Sequence, residues 1–167
     1  MATTKFKGID VELLGNTVNV GDKAPAITVV NSAGLGDVTV GGATGKKQLI
    51  IVVPSLDTGV CATETRNFNA KAAGLTDVTV TIVSLDLPFA AGRFCQAEGI
   101  DNLTVCSDFR NKEFANAYGV LLGGSVLAGV TCRAIFAVDA DGIVTYKEIV
   151  PEITEEPNYD AALASVA

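Results

Sequence analysis

A short apolar run in the first third of the chain constrains the fold most strongly. Residues 48–53 read Gln-Leu-Ile-Ile-Val-Val, and Pro54 ends the run. Such a segment, rich in β-branched side chains and without polar alternation, is typical of a central strand that is covered on both faces. The sequence therefore predicts a strand in the interior of a sheet, with helices packed on it.

A helix is predicted directly after this strand, and it begins near a cysteine. Residues 62–73 carry apolar side chains at helical spacing, and Gly74 can end the helix. Cys61 then lies in or beside the first turn, where unpaired amide N–H groups and the positive end of the helix dipole gather. A thiol in this place is biased toward the thiolate, which is the nucleophilic form of cysteine.

Composition narrows the class of protein. The chain has 167 residues, of which 49% are hydrophobic and 19% charged, and this suits one globular domain over residues 1–167. A net charge of −7 without a basic stripe disfavours nucleic-acid binding. No apolar run approaches the roughly 18 residues of a membrane span. The first residues lack the apolar core of a signal peptide, so we expect a cytoplasmic protein with no membrane partner.

The cysteines and the missing histidine limit the chemistry. Four cysteines, at 61, 95, 106 and 132, in a chain without an export signal indicate reduced thiols with a catalytic or redox role. There is no Cys-x-x-Cys pair and no histidine, so neither a metal site nor a cofactor is predicted. The usual general base of cysteine hydrolases is also missing. Cys61 must therefore be activated without an imidazole.

The rest of the pattern predicts a mixed α/β chain. Residues 5–20 alternate loosely around Gly15-Asn16 and predict an N-terminal β-hairpin. Residues 48–84 have the spacing of a parallel βαβ unit, and residues 131–150 that of an antiparallel hairpin. This order is that of a thioredoxin-like mixed sheet flanked by helices, with the hairpin added. Further expected elements are strands at 26–30, 37–40 and 103–106, helices at 89–99 and 111–118, an irregular segment at 119–129 and a helix opened by Pro157.

One motif resembles the active-site set of the peroxiredoxins. Pro54-x-x-x-Thr58-x-x-Cys61 is followed far downstream by Arg133 on a predicted strand. The flanking sequence is similar to that of the bacterial thiol peroxidases, which are atypical two-cysteine peroxiredoxins. The likeness runs over nearly the whole chain and is carried mainly by residues 57–61, 86–89, 93–99, 109–111 and 152–157.

The resemblance implies roles for five residues. Cys61 would be the peroxidatic cysteine and Cys95 the resolving cysteine of the same chain. Pro54 and Thr58 would shape the pocket, and Arg133 would be its arginine. The family further implies a thiol-dependent peroxidase that reduces hydrogen peroxide and alkyl hydroperoxides, forms a homodimer and is reduced by thioredoxin.

Elementary chemistry agrees with these roles. Arg133 would supply a fixed cation with a planar fork of donors, and such donors stabilise charge that develops in a reaction. A disulfide needs Cα atoms roughly 4.4–6.8 Å apart, whereas Cys61 and Cys95 are predicted on separate helices. We therefore expect one or both helices to unwind partly, and Gly92 and Gly99 are consistent with a mobile segment around Cys95.

Other interpretations stay open at this point. Cys106 and Cys132 lie in apolar runs and are expected to be buried spectators. Leu121, Leu122 and Val126 are expected near the pocket and favour alkyl hydroperoxides. A peroxide-sensing relay protein without rapid turnover would use the same two cysteines. A thiol–disulfide oxidoreductase is a third possibility, although Thr58 stands where such a protein would carry the first cysteine of Cys-x-x-Cys.

Overall fold

Strands and helices alternate through the computed structural model, which describes residues 2–167. No helix in this range is long and apolar enough to cross a membrane. The strands are β1 (Thr3–Phe6), β2 (Ile9–Leu14), β3 (Ile27–Asn31), β4 (Asp37–Val40), β5 (Lys47–Val52), β6 (Val78–Ser84), β7 (Thr104–Ser107), β8 (Leu121–Leu122), β9 (Ala134–Val138) and β10 (Val144–Ile149). The helices are α1 (Gly59–Ala72), α2 (Pro88–Glu98), α3 (Glu113–Ala117) and α4 (Tyr159–Ala164).

The apolar run that follows Lys47 is the central strand of the main sheet. This sheet has the strand order β10-β9-β5-β6-β7-β3-β4. β5 pairs in parallel with β6 and antiparallel with β9, and every residue of β5 after Lys47 is buried. The predicted central strand and the parallel βαβ unit are confirmed. Because β6 also pairs in parallel with β7, the carboxyl ends of three neighbouring strands meet at one edge.

The two faces of β5 belong to two separate cores. Ile50 and Val52 pack into a cluster that includes α3 and the N-terminal hairpin, whereas Leu49 and Ile51 pack into one with residues of α1, α2 and α4. Successive side chains of a strand point to opposite faces, so this division follows directly from the sequence. The sheet is therefore covered on both sides, which is why β5 is apolar without interruption.

The turn of the N-terminal hairpin differs from the predicted one. The hairpin is present, but its strands are joined at Lys7-Gly8, where both residues have positive φ (52° and 80°), and not at Gly15-Asn16. A two-residue turn of type I′ requires positive φ at both positions, and it is favoured in hairpins because it matches the twist of the strands. Gly15 is needed for another reason, since a Cβ there would lie 2.3 Å from the Asn116 carbonyl oxygen.

Two further elements depart from the pattern. The segment expected to be irregular contains β8, which pairs with β2 and completes a small sheet of order β1-β2-β8. The helix expected over 111–118 is shorter and begins at Glu113. Its start is fixed by Asp108, whose carboxylate accepts hydrogen bonds from the N–H groups of Phe114 and Ala115 at 3.1 and 2.9 Å. An acceptor at this place satisfies amides that a helix leaves unpaired.

The central strand gives a direct test of the core. Ile51→Ala is expected to lower the free energy of unfolding by about 2–5 kcal/mol, because it leaves a cavity in a fully packed interior. Ile9→Ala is the matched control, since Ile9 is 69% exposed and should change stability by roughly 0.5 kcal/mol or less. Urea denaturation measures both. Equal losses for the two variants would contradict the placement of β5 in the core.

Candidate active site

Cys61 lies in the first turn of α1, as the sequence predicts. Thr58 is the N-cap residue with extended backbone, and Cys61 is the third helical residue. The Thr58 hydroxyl does not cap the helix but donates to the Ser55 carbonyl oxygen at 3.0 Å. The Cys61 side chain is 0% exposed. A thiol is thus held inside the protein, at the end of a helix where amide N–H groups converge.

Arg133 reaches this thiol and is itself buried. Its Nη1 donates to Cys61 Sγ at 3.3 Å and its Nε donates to the Ile153 carbonyl oxygen at 2.9 Å. The residue is 2% exposed, so it is not a surface salt-bridge residue. The sequence predicted Arg133 on a strand, but Arg133 lies one position before β9, which begins at Ala134. A guanidinium with fixed donors is therefore aimed at the sulfur.

Glu64 is a site residue that the sequence reasoning missed. Its Oε2 accepts from Arg133 Nη1 at 2.5 Å, and its Oε1 has no hydrogen-bond partner within residues 2–167. Burial raises the pKa of Glu64 from its ordinary 4.5 to about 7, although Arg133 opposes the shift. The available signal was its spacing, because residues three apart lie on the same face of a helix and place Glu64 beside Cys61.

The three side chains form a cluster with one cation and two acidic groups. Burial disfavours the charged guanidinium, but Cys61 and Glu64 together raise the pKa of Arg133. If both Cys61 and Glu64 were ionised, the buried cluster would carry an excess negative charge, which a low-dielectric interior disfavours. The thiolate and the carboxylate therefore compete for Arg133, and a neutral Glu64 leaves it to the sulfur.

A cavity of about 320 Å³ opens beside this cluster. Three of the predicted site residues line this cavity and therefore lie close to Cys61: Pro54, Thr58 and Arg133. The prediction that Leu121, Leu122 and Val126 lie near the pocket is wrong. Leu122 is buried in the core, Val126 is 88% exposed, and Leu121 does not line the cavity. The apolar walls are instead Phe6, Val60, Leu127 and Ile153.

Cys95 is not part of this cluster. It lies half-buried on α2, and all four cysteines are free thiols. Burial raises the pKa of Cys95, partly offset by a hydrogen bond with the Ser32 hydroxyl. Gly92 serves close packing, because a Cβ there would lie 3.1 Å from the Ser32 carbonyl oxygen. Gly99 ends α2 in the left-handed conformation (φ 66°), which glycine adopts readily.

The two remaining cysteines are buried, as expected. Cys106 and Cys132 are fully enclosed in the core cluster opposite α1. Burial raises the pKa of each thiol to about 12, so both stay neutral and unreactive near pH 7. Within residues 2–167 no group of three or more His, Cys, Asp or Glu side chains is arranged to hold a metal ion.

Comparison with known proteins identifies the family of this chain. Residues 19–163 match the family model described as Redoxin. The chain is 51% identical over 164 residues to a thiol peroxidase of Aquifex aeolicus, covering 98% of this chain and 96% of that protein. The chain belongs to the thiol peroxidase family. A thiol peroxidase of Campylobacter jejuni is also 51% identical, over 158 residues that cover 95% of this chain and 89% of the relative. The protein is thus a thiol-dependent peroxidase of the peroxiredoxin type.

Solved structures establish the fold. The crystal structure of a peroxiredoxin-like protein from Aquifex aeolicus superposes with a TM-score of 0.95 at 51% identity, covering 98% of this chain and 95% of that one. A thiol peroxidase from Chromobacterium violaceum has a TM-score of 0.86 at 21% identity, covering 97% and 93% of the two chains. The predicted thioredoxin-like fold of a peroxiredoxin is confirmed.

The planar guanidinium group of Arg133 gives a first prediction for the activity of this site. Arg133→Lys keeps a positive charge but cannot donate in fixed geometry to Cys61, Glu64 and Ile153 together. We expect kcat/KM for peroxide to fall by about 100-fold, as when an oriented donor is removed from other active sites. Arg66→Lys is the control, because Arg66 forms a half-exposed ion pair with Glu98 at 3.3 Å. A similar loss in both variants would contradict a special place for Arg133.

Glu64 gives a second prediction, on pH dependence. Below about pH 7 Glu64 is neutral, so wild type and Glu64→Gln should react with peroxide at similar rates. Above that pH the wild-type carboxylate ionises and competes with the Cys61 thiolate for Arg133. The ratio of the variant rate to the wild-type rate should therefore rise between about pH 6 and 8. Stopped-flow measurement of the peroxide reaction checks this, and a ratio independent of pH would contradict it.

Stability provides an independent check on the same carboxyl group. The pKa of Glu64 in the folded protein, about 7, is above its ordinary 4.5. Its contribution to stability is therefore complete below about pH 4.5 and is lost as the pH rises through 7. Glutamine does not titrate, so the variant should gain stability relative to wild type over this range. Urea denaturation at several pH values measures the difference.

Proposed function

We propose that this enzyme reduces hydrogen peroxide and alkyl hydroperoxides at Cys61, that Cys95 resolves the product as an intrachain disulfide, and that thioredoxin restores the dithiol. The observation that carries the proposal is the buried contact of 3.3 Å between Arg133 Nη1 and Cys61 Sγ. A guanidinium at this distance stabilises negative charge on the sulfur and supplies donors for a bound peroxide.

The first step is an attack of the thiolate on the peroxide. The sulfur forms a bond to the terminal oxygen, the O–O bond breaks, and the leaving alkoxide takes a proton and departs as an alcohol, or as water from hydrogen peroxide. Cys61 becomes a sulfenic acid. Arg133 donors stabilise the negative charge that moves from sulfur to oxygen. Pro54 and Thr58 would shape the pocket in which the peroxide lies.

The apolar walls of the cavity support alkyl hydroperoxides as substrates. Phe6, Leu127 and Ile153 line the side of a space of about 320 Å³ that also reaches Arg133. An alkyl chain would bury its surface against these side chains, and each buried CH₂ group contributes about 0.8 kcal/mol. Hydrogen peroxide has no such group, so the same pocket would bind it more weakly.

The second step joins Cys61 and Cys95. The Cys95 sulfur attacks the sulfenic sulfur, an S–S bond forms, and the hydroxyl leaves as water with the proton of the Cys95 thiol. Cys61 is buried in the first turn of α1 and Cys95 lies on α2. Part of one or both helices must therefore unwind before the bond can form. Exposure to water would also remove the burial that raises the pKa of Cys95.

The remaining parts of the proposal concern the cellular setting. Reduction of the disulfide would come from thioredoxin, a dithiol protein that attacks an exposed disulfide. We further propose that residues 1–167 form a single domain, that the enzyme works as a homodimer in the cytoplasm and that it needs no cofactor. The net charge of −7 does not support nucleic acid as a partner.

A coupled assay tests the roles of the two cysteines. Wild type should consume peroxide with thioredoxin, thioredoxin reductase and NADPH. Cys61→Ser should be inactive, because no nucleophile remains. Cys95→Ser should react once with peroxide and then fail to be recycled by thioredoxin. Cys106→Ser, a buried thiol with its pKa raised to about 12, is the matched control and should turn over normally.

Two outcomes would contradict the proposal. If Cys95→Ser turned over at the wild-type rate, resolution would come from another thiol or from the reductant itself. If wild type were oxidised once and then stalled with every dithiol protein offered, a peroxide-sensing relay would describe the protein better than an enzyme with rapid turnover.

A further inference from the structure

The carboxylate of Asp86 holds the loop that leads into Cys61. Its Oδ1 accepts a hydrogen bond from Ser55 Oγ at 2.7 Å, and its Oδ2 accepts one from the Leu56 N–H at 2.7 Å. Hydrogen bonds to an ionised carboxylate are shorter and stronger than those between neutral groups. One side chain therefore fixes two consecutive residues of this loop.

The contacts continue from the loop into α1. The Ser55 Oγ accepts from the Asp57 N–H at 3.2 Å, and the Ser55 carbonyl oxygen accepts from Thr58 Oγ1 at 3.0 Å. The Thr58 carbonyl oxygen then accepts from the Ala62 N–H at 2.9 Å, which is a first bond of the helix. The position of Asp86 is thus transmitted by an unbroken series of hydrogen bonds to the turn that contains Cys61.

Asp86 is itself fixed to the main sheet. Its N–H donates to Ser84 Oγ at 3.2 Å, and its carbonyl oxygen accepts from Ser107 Oγ. These serines are the last residues of β6 and β7. Pro88, two residues later, opens the helix that carries Cys95. Asp86, which holds the Cys61 loop, is therefore hydrogen-bonded to the main sheet. It lies just before α2, the helix that carries Cys95 and that is proposed to move.

Core packing holds only part of this loop, because Leu56 is buried in the core whereas Asp57 and Thr58 are exposed. A cavity of about 210 Å³ separates it from α2. Leu56, Asp57 and Asp86 line one side of this space, and residues of α2 line the other. Because a gap of this size forfeits close contacts, the hydrogen bonds to Asp86 supplement the packing of Leu56 in holding the loop in place.

We propose that Asp86 is a positioning residue that keeps Cys61 in contact with Arg133 and thereby controls the fate of the Cys61 sulfenic acid. This inference rests on the proposed function. When the loop leaves Asp86, the sulfenic sulfur can meet Cys95 and form the disulfide with release of water. When the loop stays, the sulfenic sulfur can attack a second hydroperoxide. A second S–O bond then forms, the O–O bond breaks, and a sulfinic acid and an alcohol result.

Asp86→Asn tests the inference. The amide group is neutral, so its hydrogen bonds to Ser55 and Leu56 are weaker than those of the carboxylate even when the Ser55 hydroxyl turns to accept from it. We expect the fraction of sulfinic acid formed at a given peroxide dose, without reductant, to fall by about fivefold. This factor corresponds to the loss of one hydrogen bond of roughly 1 kcal/mol. Intact-protein mass spectrometry separates the disulfide from the sulfinic acid, and faster hydrogen exchange over residues 55–61 should accompany the change.

Three variants serve as comparisons. Asp57→Asn removes the same charge from the same cavity, but the Asp57 carboxylate has no hydrogen-bond partner within residues 2–167. Val29→Ala destabilises the far edge of the sheet, because Val29 is buried on β3. Both should give the wild-type ratio of products. Ser55→Ala removes the bond to Asp86 Oδ1 and should shift the ratio in the same direction by a similar factor, and it decides the matter if Asp86→Asn does not fold.

Wild-type ratios in both Asp86→Asn and Ser55→Ala would overturn the inference, as would an equal shift in Asp57→Asn or Val29→Ala. The proposed function fails separately. If wild type formed no disulfide between Cys61 and Cys95, both the mechanism and the role of Asp86 would fall. If the wild-type disulfide formed and was recycled while the Asp86 variant behaved identically, only the role of Asp86 would be wrong.

Discussion

The structure of this site depends on one buried cation. Arg133 is hydrogen-bonded to three partners. Its Nη1 donates to both Cys61 Sγ and Glu64 Oε2, and its Nε donates to the Ile153 carbonyl oxygen. A charge in a protein interior is tolerated only when it is paired and hydrogen-bonded. The cluster meets this requirement most fully when only one of the two acidic groups is ionised, because its net charge is then zero, and that negative charge can reside on the sulfur.

The N-terminal hairpin contributes to holding this cation, although it is far from Cys61 in sequence. The Lys5 carbonyl oxygen accepts from the Ile153 N–H at 2.8 Å, and the Lys5 N–H donates to the Pro151 carbonyl oxygen at 2.8 Å. The carbonyl group that orients Arg133 thus belongs to a segment tied to β1. Phe6, the next residue, forms a wall of the cavity. The addition to the thioredoxin-like sheet is therefore part of the site.

Local patterns predicted the elements that depend on nearby residues. The apolar run of β5 and the position of Cys61 in the first turn of α1 follow from burial and helix signals within a few residues. Glu64 was missed because an acidic residue in a helix is usually exposed, and only its tertiary contact with Arg133 explains its burial. β8 has two residues and exists because β2 lies beside it. The hairpin turn was misplaced because Gly15-Asn16 and Lys7-Gly8 both fit a turn, and only the packing of Gly15 against Asn116 separates them.

The enclosure of Cys61 has a consequence for which reagents the enzyme can meet. The Cys61 residue has 0% exposure, and a cavity of about 320 Å³ reaches Arg133 beside it. Bulky electrophiles and disulfides such as oxidised glutathione need more room around the sulfur than a hydroperoxide does, so the folded first turn of α1 shields Cys61 from them more strongly. The fold therefore discriminates between reagents by size, so that the Cys61 thiol can persist among many other reactive molecules.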